Sequence, residues 1–373
     1  MDLLAPLKFK MPRSYSLTGP ERDRAIVAGL AGADWYQTPV ERKLLKELMK
    51  RSDGPALRDT GIWLGLVLLT ATGGIWFWGS WAAVPFLLVY GVLYASAADS
   101  RWHECGHGTA FKTPWMNDAV YEFASFLMMR NSVTWRWSHS RHHTDTIIVG
   151  RDPEISAMRP PQLILIGLNL IGLVAVPQSL ATLARQALGR LSPDEADYVP
   201  QTERPRAYRV ARIHMAIYAA TVACALIWQS WLPLVLIGLP RAYGIWLLLV
   251  MGLPQHIGLA EDVLDHRLNA RTMIFGPVLR FVYWNMNYHV EHHMYPMVPY
   301  HALPRLHEAV KHDCPPPETL WAAWREIIPT VLRQLKDPTH FIRKDLPPGA
   351  GRPRATPPAA EKDADALDQS HAF

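Results

Sequence analysis

Cysteine is scarce in this 373-residue chain. Its three cysteines, Cys105, Cys224 and Cys314, include no C-x-x-C pair, which excludes a disulfide framework, a cysteine-based zinc ribbon and an iron–sulfur cluster. A His-Pro-Gly-Gly haem motif is missing, and so is a G-x-G-x-x-G turn after a strand, so no electron carrier of those kinds is built in. Charge is thin as well, at 19% of residues and a net of +5. The basic residues form no stripe that would track phosphates, and nucleic acid is not an expected partner. Residues 1–59 are polar and basic and lack the short apolar core and cleavage site of a signal peptide.

Two stretches lack charge almost entirely. From Thr60 to Ala98 there are 39 residues without Asp, Glu, Lys or Arg. One bilayer crossing takes about 20 apolar residues, so this run suffices for two. Gly79, Ser80 and Pro85 supply a turn, and Trp76, Trp78 and Trp81 beside it are interfacial aromatics. A helical hairpin is expected, with Asp59 and Asp99 facing one compartment. The second apolar block, Ile213–Pro240 and Ala242–Ala260, is interrupted only by Arg241 and turns at Gln229–Trp231. A guanidinium there should face a cavity or sit at a break made by Gly238 and Pro240. A third uncharged stretch, Pro161–Leu183, is followed by Arg185, Arg190, Arg204, Arg206, Arg209 and Arg212, while Lys43, Lys46, Lys50, Arg51 and Arg58 precede the first hairpin. The positive-inside rule puts both basic segments in the cytoplasm, so Pro161–Leu183 reads as an interfacial or re-entrant helix.

The expected fold is therefore an all-α integral membrane protein of the inner (cytoplasmic) membrane. It has four transmembrane helices in two hairpins, interfacial helices and a cytoplasmic cap carrying the active site. Residues 1–59 form a cytoplasmic segment, 60–312 the membrane domain, 313–345 an amphipathic segment in which Pro329 kinks or divides the helix, and 346–373 a disordered tail.

Histidine is what the chain has in quantity, with 16 residues. Eight fall in three groups: His103-Glu-Cys-Gly-His107, His139-Ser-Arg-His142-His143 and His289-Val-Glu-His292-His293. Helical positions i, i+3 and i+4 share a face, so each group offers two or three imidazoles to one point. Neutral imidazole ligates iron, zinc, copper and nickel. Eight exceed what one tetrahedral zinc can use and suffice for two metals; beside a membrane and without thiolates, two irons handling O2 is the expected use. Metal-bound imidazole donates its other N–H outward, which makes Glu104, Asp145, Asp152, Glu154 and Glu291 candidate partners. Asn287 is a candidate to hold a metal-bound water. The scattered His214, His266, His301, His307, His312, His340 and His371 read as ordinary hydrogen-bonded or interfacial residues. Two other classes remain open: a membrane zinc hydrolase or transporter needing three or four histidines, and a metal store or sensor.

Three boxes of the pattern H-x-x-x-H, H-x-x-H-H and H-x-x-H-H around two apolar hairpins resemble the membrane fatty acid desaturase/hydroxylase superfamily. The strings His-Glu-Cys-Gly-His-Gly at 103–108 and Asn-Tyr-His-Val-Glu-His-His-Met-Tyr-Pro at 287–296 are also similar. The resemblance covers residues 60–310. It implies a non-haem di-iron centre, O2, and electrons from a separate ferredoxin or Rieske-type ferredoxin with its reductase. It also implies a ninth histidine near the end of the fourth crossing, the place His256 occupies. The substrate class it implies is an acyl chain, the outcome being desaturation, hydroxylation or oxidative O-demethylation. The strings 142–154 and Asn285-Met-Asn-Tyr-His289 are similar to a rhizobial hydrocarbon-oxygenase branch that includes a rhizopine oxygenase, which implies a methylated inosamine as a small-molecule substrate.

Overall fold

A computed structural model describes residues 13–353. Helices dominate; strands Met273–Ile274 and Glu318–Thr319 form one short parallel pair. The first uncharged run folds as a hairpin. Its outbound helix, Asp53–Trp76, buries Ala56, Thr60, Trp63, Val67, Thr70 and Gly74 at three-to-four-residue spacing. Its outer face shows Leu68, Leu69 and Trp76. The turn follows at Phe77–Ala82, with Gly79 in the left-handed region at φ 87°. The return helix, Ala83–Gly106, comes so close that a Cβ on Gly73 would meet the Phe86 ring at 2.2 Å. One turn of it, Val92–Ser96, widens to a π-helix.

The second hairpin is less regular. Gln201–Ile227 is a continuous helix whose small inward residues, Ala207, Ala211 and Ala225, let neighbours approach. Trp228 and Trp231 stand exposed at its tip. The returning limb breaks into Leu232–Leu236, Pro240–Tyr243 and Trp246–Gln255. Gly238, at φ 93°, and Pro240 make the break, and Arg241 lies buried at it. Among the described residues, two helical stretches, Ala83–Gly106 and Gln201–Ile227, are long and apolar enough to cross a membrane. Leu68, Leu69 and Trp76 on the first hairpin and Leu226, Ile227 and Trp228 on the second are exposed, the kind of apolar surface that marks a membrane or protein contact. Pro161–Leu183 is not one helix: Leu163–Asn169 and Ala175–Ala187 are separated at Gly172, and each is shorter than the roughly 20 residues a crossing takes.

Tight contacts hold the hairpins together beneath the site. A Cβ on Gly244 would fall 1.8 Å from the Gly91 carbonyl oxygen, so only glycine permits this crossing. Ser96 Oγ donates to Gly244 O at 2.6 Å and accepts from Leu248 N at 2.9 Å. Arg101, fully buried, donates to the carbonyls of Phe281 and Val282, at the C-terminus of helix Pro277–Val282, and lies over the rings of Trp63 and Trp284. It ties the helix of the first histidine box to the segment leading into the third.

Helix Leu320–Gln334 runs through Pro329 without dividing. Proline there removes a single main-chain donor, and the buried faces of Ala323, Ile327 and Val331 keep the helix docked. Of the tail, residues 346–353 hold no helix or strand and turn at 348–349, where Ala350 N donates to Pro347 O at 3.0 Å; Gly351 N donates to Asp313 at 2.6 Å. Residues 354–373 lie outside the described residues.

Candidate metal centre

Two histidine boxes end a helix and the third forms one. His103 and His107 occupy the end of helix Ala83–Gly106 and the position after it. The second box lies in the last turns of helix Ser132–Thr144, which Asn131 caps by accepting from Val133 N and Thr134 N. The third forms the short helix His289–Met294. Trp284 and Asn285 precede it, both at positive φ, and the Trp284 ring stacks on Tyr300 at 4.3 Å. Ile147, just past the second box, is likewise at φ 56°, a costly conformation for a β-branched residue, held by Ile147 N donating to Asp152.

All nine predicted imidazoles converge, and they sort into two groups that the boxes do not respect. His103, His107, His139, His143 and His292 form one; His142, His256, His289 and His293 form the other, with ligand atoms in each group within 4.8 Å of one another. On a helix, His139 and His143 point together, while His142 is rotated from both by about 60–100° and faces the other group. In the third box His289 and His293 pair while His292 crosses over.

The tautomers are set from outside. His142 Nδ1 lies 2.8 Å from Asp152, His139 Nδ1 3.0 Å from Glu154, and His256 Nδ1 2.7 Å from the carbonyl of Asn269. Each contact holds the proton on Nδ1 and leaves the Nε2 lone pair directed inward, as a ligand requires. Thr146 Oγ1, 3.3 Å from His293 Nδ1, can accept in the same way. Gln255 is the exception: its Nε2, 3.0 Å from His289 Nδ1, is a donor and makes that ring nitrogen the acceptor. Inside the groups Nε2 faces Nε2: 2.9 Å between His289 and His256, 3.0 Å between His293 and His289, 3.1 Å between His139 and His107. His103 has neither ring nitrogen bonded, and Nδ1 of His143 and of His292 is unpartnered, although all are buried. Lone pairs crowded together with unpartnered buried nitrogens are costly. A cation among them removes the conflict, so the donor set fits a metal in each group.

Electrostatics agree with neutral ligands. Burial, then the neighbouring imidazoles, holds His139, His143, His289, His292 and His293 well below the ordinary histidine range, and burial pushes His256 down to about 3. His142 differs: burial lowers it, but the Asp152 carboxylate outweighs that and raises it to about 8. Burial pushes Glu154 up to about 7.

The predicted outer partners divide. Asp152 and Glu154 meet imidazoles. Glu104 lies 3.7 Å from His292 Nδ1 and 3.9 Å from His103 Nδ1, while accepting from Tyr300 N. Asp145, buried where the helix ends, instead pairs with Arg141 and Arg151 and meets no imidazole. Glu291 is bonded to His307 Nδ1 and Thr272 Oγ1, both at 2.5 Å. Asn287 donates to Met273 O, and its Oδ1 is unpartnered. Sequence reasoning missed His266, buried and stacked between Trp35 at 4.2 Å and His293 at 5.0 Å. It also missed Gln255, Thr146 and the Asn269 carbonyl; their only signal was proximity to a box or to His256.

A cavity of about 320 Å³ opens against both groups, lined by His103, His139, His142, His256 and His289 on one side and Trp135, Leu249 and Tyr283 on another.

Comparison with known proteins agrees with this geometry. A stretch of 135 residues is 26% identical to an sn-1 oleoyl-lipid 12-desaturase of Synechocystis sp., covering 36% of this chain and 36% of that protein, so the match spans little more than a third of the relative's length. Residues 78–324, more than half of the chain and including all nine converging histidines, match the fatty acid desaturase family. That family is membrane-associated and consists of oxidoreductases, generally with two irons. With three histidine boxes folded into two imidazole groups, the chain belongs to the fatty acid desaturase family.

Proposed function

We propose that this chain is an O2-dependent membrane oxidoreductase that oxidises a C–H bond at a di-iron centre. His103, His107, His139, His143 and His292 are the ligands of one iron; His142, His256, His289 and His293 are those of the other. The observation that carries this reading is the pair of all-imidazole groups with outward-anchored Nδ1 atoms. Two irons bound there supply O2 activation and the oxidation of an unactivated C–H bond.

The chain's own residues do the rest. Asp152, Glu154 and the Asn269 carbonyl hold protons on Nδ1, so each ring stays neutral and correctly aimed. Trp102, Trp135, Leu249 and Tyr283 wall the cavity beside the groups and keep bulk water from the reacting bond. Which bond reaches the histidines sets the outcome, desaturation, hydroxylation or O-demethylation. The three cysteines form no cluster, which supports a separate ferredoxin or Rieske-type ferredoxin as the source of electrons. Four crossings in the inner membrane, with the boxes on the cytoplasmic face and Leu163–Ala187 in the interface, suit the basic segments and the apolar helices.

Metal analysis with product analysis tests this. The purified chain should hold about two irons. Given a ferredoxin, its reductase and O2, it should convert one member of a panel of acyl, alkane and methylated inositol-amine substrates to a product identified by mass spectrometry. Zinc alone, with no O2 uptake on any of them, would refute the reading in favour of a membrane zinc protein.

A further inference from the structure

Beyond the cavity at the histidines lies a second, of about 460 Å³, and the two share walls at Arg130, Trp135, Leu249 and Leu253. Its lining is unlike that of a hydrocarbon tunnel. Helix Ala175–Ala187 turns Gln178, Ser179 and Thr182 toward it, and Asn131 and Thr134 from the helix of the second box complete the polar wall. An amphipathic helix that presents polar side chains to an interior space is arranged for a polar occupant.

Charge in the two cavities narrows the choice. Asp99 is paired with Arg130 at 2.7 Å, Arg159 with Glu261 at 3.3 Å, and Glu195 with Arg185 at 2.7 Å. Glu154 is bonded to His139. Arg241 remains. It lines the second cavity at 5% exposure, donates from Nε to the Met128 carbonyl, and its Nη1 has no partner. Among the described residues lining these cavities, it is the arginine with no carboxylate in salt-bridge contact: Asp99, bound to Arg130, acts on it only from a distance. A buried guanidinium in that state lacks the opposite charge that its desolvation calls for.

The geometry points to a recognition pocket for an organic carboxylate, with Arg241 as its counter-ion. The carboxylate is the charged end of the molecule whose C–H bond lies in the neighbouring cavity at the histidines. One uncompensated positive charge suits a monoanion; a phosphate dianion would leave a negative charge buried in turn. A guanidinium fork and a carboxylate match in shape, and the side chains of Thr182 and Gln178 supply further donors. The apolar stretch at Trp135, Leu249 and Leu253 suits a hydrocarbon body between the two ends. This inference rests on the oxidative reading of the histidine groups for what happens at the far end, while its test does not depend on turnover.

Titration calorimetry on the iron-loaded full chain in zwitterionic nanodiscs, with octanoate, octanol and octyl phosphate, tests it. Octanoate should bind at least about tenfold more tightly than either of the others. Arg241→Met should abolish that preference, and because it also removes the donor to the Met128 carbonyl, the thermal midpoint of the ligand-free protein is recorded beside it to show that the variant is folded. Equal binding of octanoate and octanol, tighter binding of octyl phosphate, or unchanged octanoate binding by the Arg241→Met protein would overturn the proposal. Should that variant fail to fold, the double variant Gln178→Leu/Thr182→Val replaces it: octanoate binding weakened several-fold supports the pocket, and unchanged binding sinks it. Iron content and O2 uptake are measured in parallel. Octanoate selectivity in a chain without iron would sink the oxidative reading and leave the pocket standing; turnover without selectivity would do the reverse.

Discussion

The four-histidine and five-histidine groups are made of the same ligand and lie side by side, yet they are supported differently. In the group of His142, His256, His289 and His293, every outer nitrogen has a neighbour: Asp152, the Asn269 carbonyl, Gln255 and Thr146. In the other group Glu154 holds His139 at hydrogen-bond distance, while Glu104 stands 3.7–3.9 Å from His292 and His103, and His143 Nδ1 has no partner. One group is preoriented with few ligands; the other has a ligand to spare and relies on the metal to order it. Number of ligands and rigidity of ligands are alternative routes to holding an ion.

The largest effect separates the groups by ligand loss. His293→Ala leaves three imidazoles in its group and should take iron from about two per chain to about one, with turnover lost, whereas His143→Ala leaves four and should retain about two. Equal losses by metal analysis would erase the distinction. Chelation should expose the second difference through pH. The imidazoles held below their ordinary range cannot take up protons in the folded state, whereas the unfolded chain does so at about pH 6.5. The metal-free protein should therefore lose stability as pH falls below 6.5. His142 has the opposite sign: its raised pKa gives stability that is complete below 6.5 and lost as pH rises through about 8. Thermal midpoints of chelated protein from pH 9 to 5 check both slopes, and a flat profile would contradict them.

Smaller effects concern the outer partners. Asp152→Asn should weaken iron binding about 10- to 100-fold in competition with a chelator, and Glu154→Gln less, because the five-histidine group keeps four other rings. Thr146→Val removes a 3.3 Å contact at His293 and should cost about 0.5–1.5 kcal/mol of metal affinity by the same assay. A Thr146 effect as large as that of Asp152 would mean that crowding, rather than charge, aims the rings.

The boxes were legible in the sequence because helical spacing alone puts His139 beside His143 and His289 beside His293. The hairpins were legible because a run without charge has few other uses. The partition into five and four was not, since sending His142 and His292 to the opposite groups depends on where the helices cross. His256 stands alone on its segment and came from the family resemblance. The Asn269 anchor is a main-chain carbonyl and carries no side-chain signal. His266 was read as an ordinary histidine, and only the folded chain brings Trp35 and His293 to its two faces. Arg241 was expected at a break or a cavity, and it meets both descriptions. The polar face that helix Ala175–Ala187 turns inward was unreadable without knowing which side of it is outside.

The widened turn at Val92–Ser96 absorbs a residue before the helix reaches the site. A π-turn accommodates one residue more than an α-helix would over the same rise. Five residues in it turn the chain about as far as four in ordinary helix, so shortening the stretch by one would restore α winding and leave the aim of His103 and His107 nearly unchanged. Beyond it, at residues 97–101, nothing absorbs a change of length: one residue lost there would rotate both rings by about 100° off the other seven imidazoles while every ligand remained present. The turn is thus a buffer between the packing against Gly244 on one side and the aim of the ligands on the other. A change of length is tolerated within it and, one turn later, is as damaging to the site as the loss of a ligand.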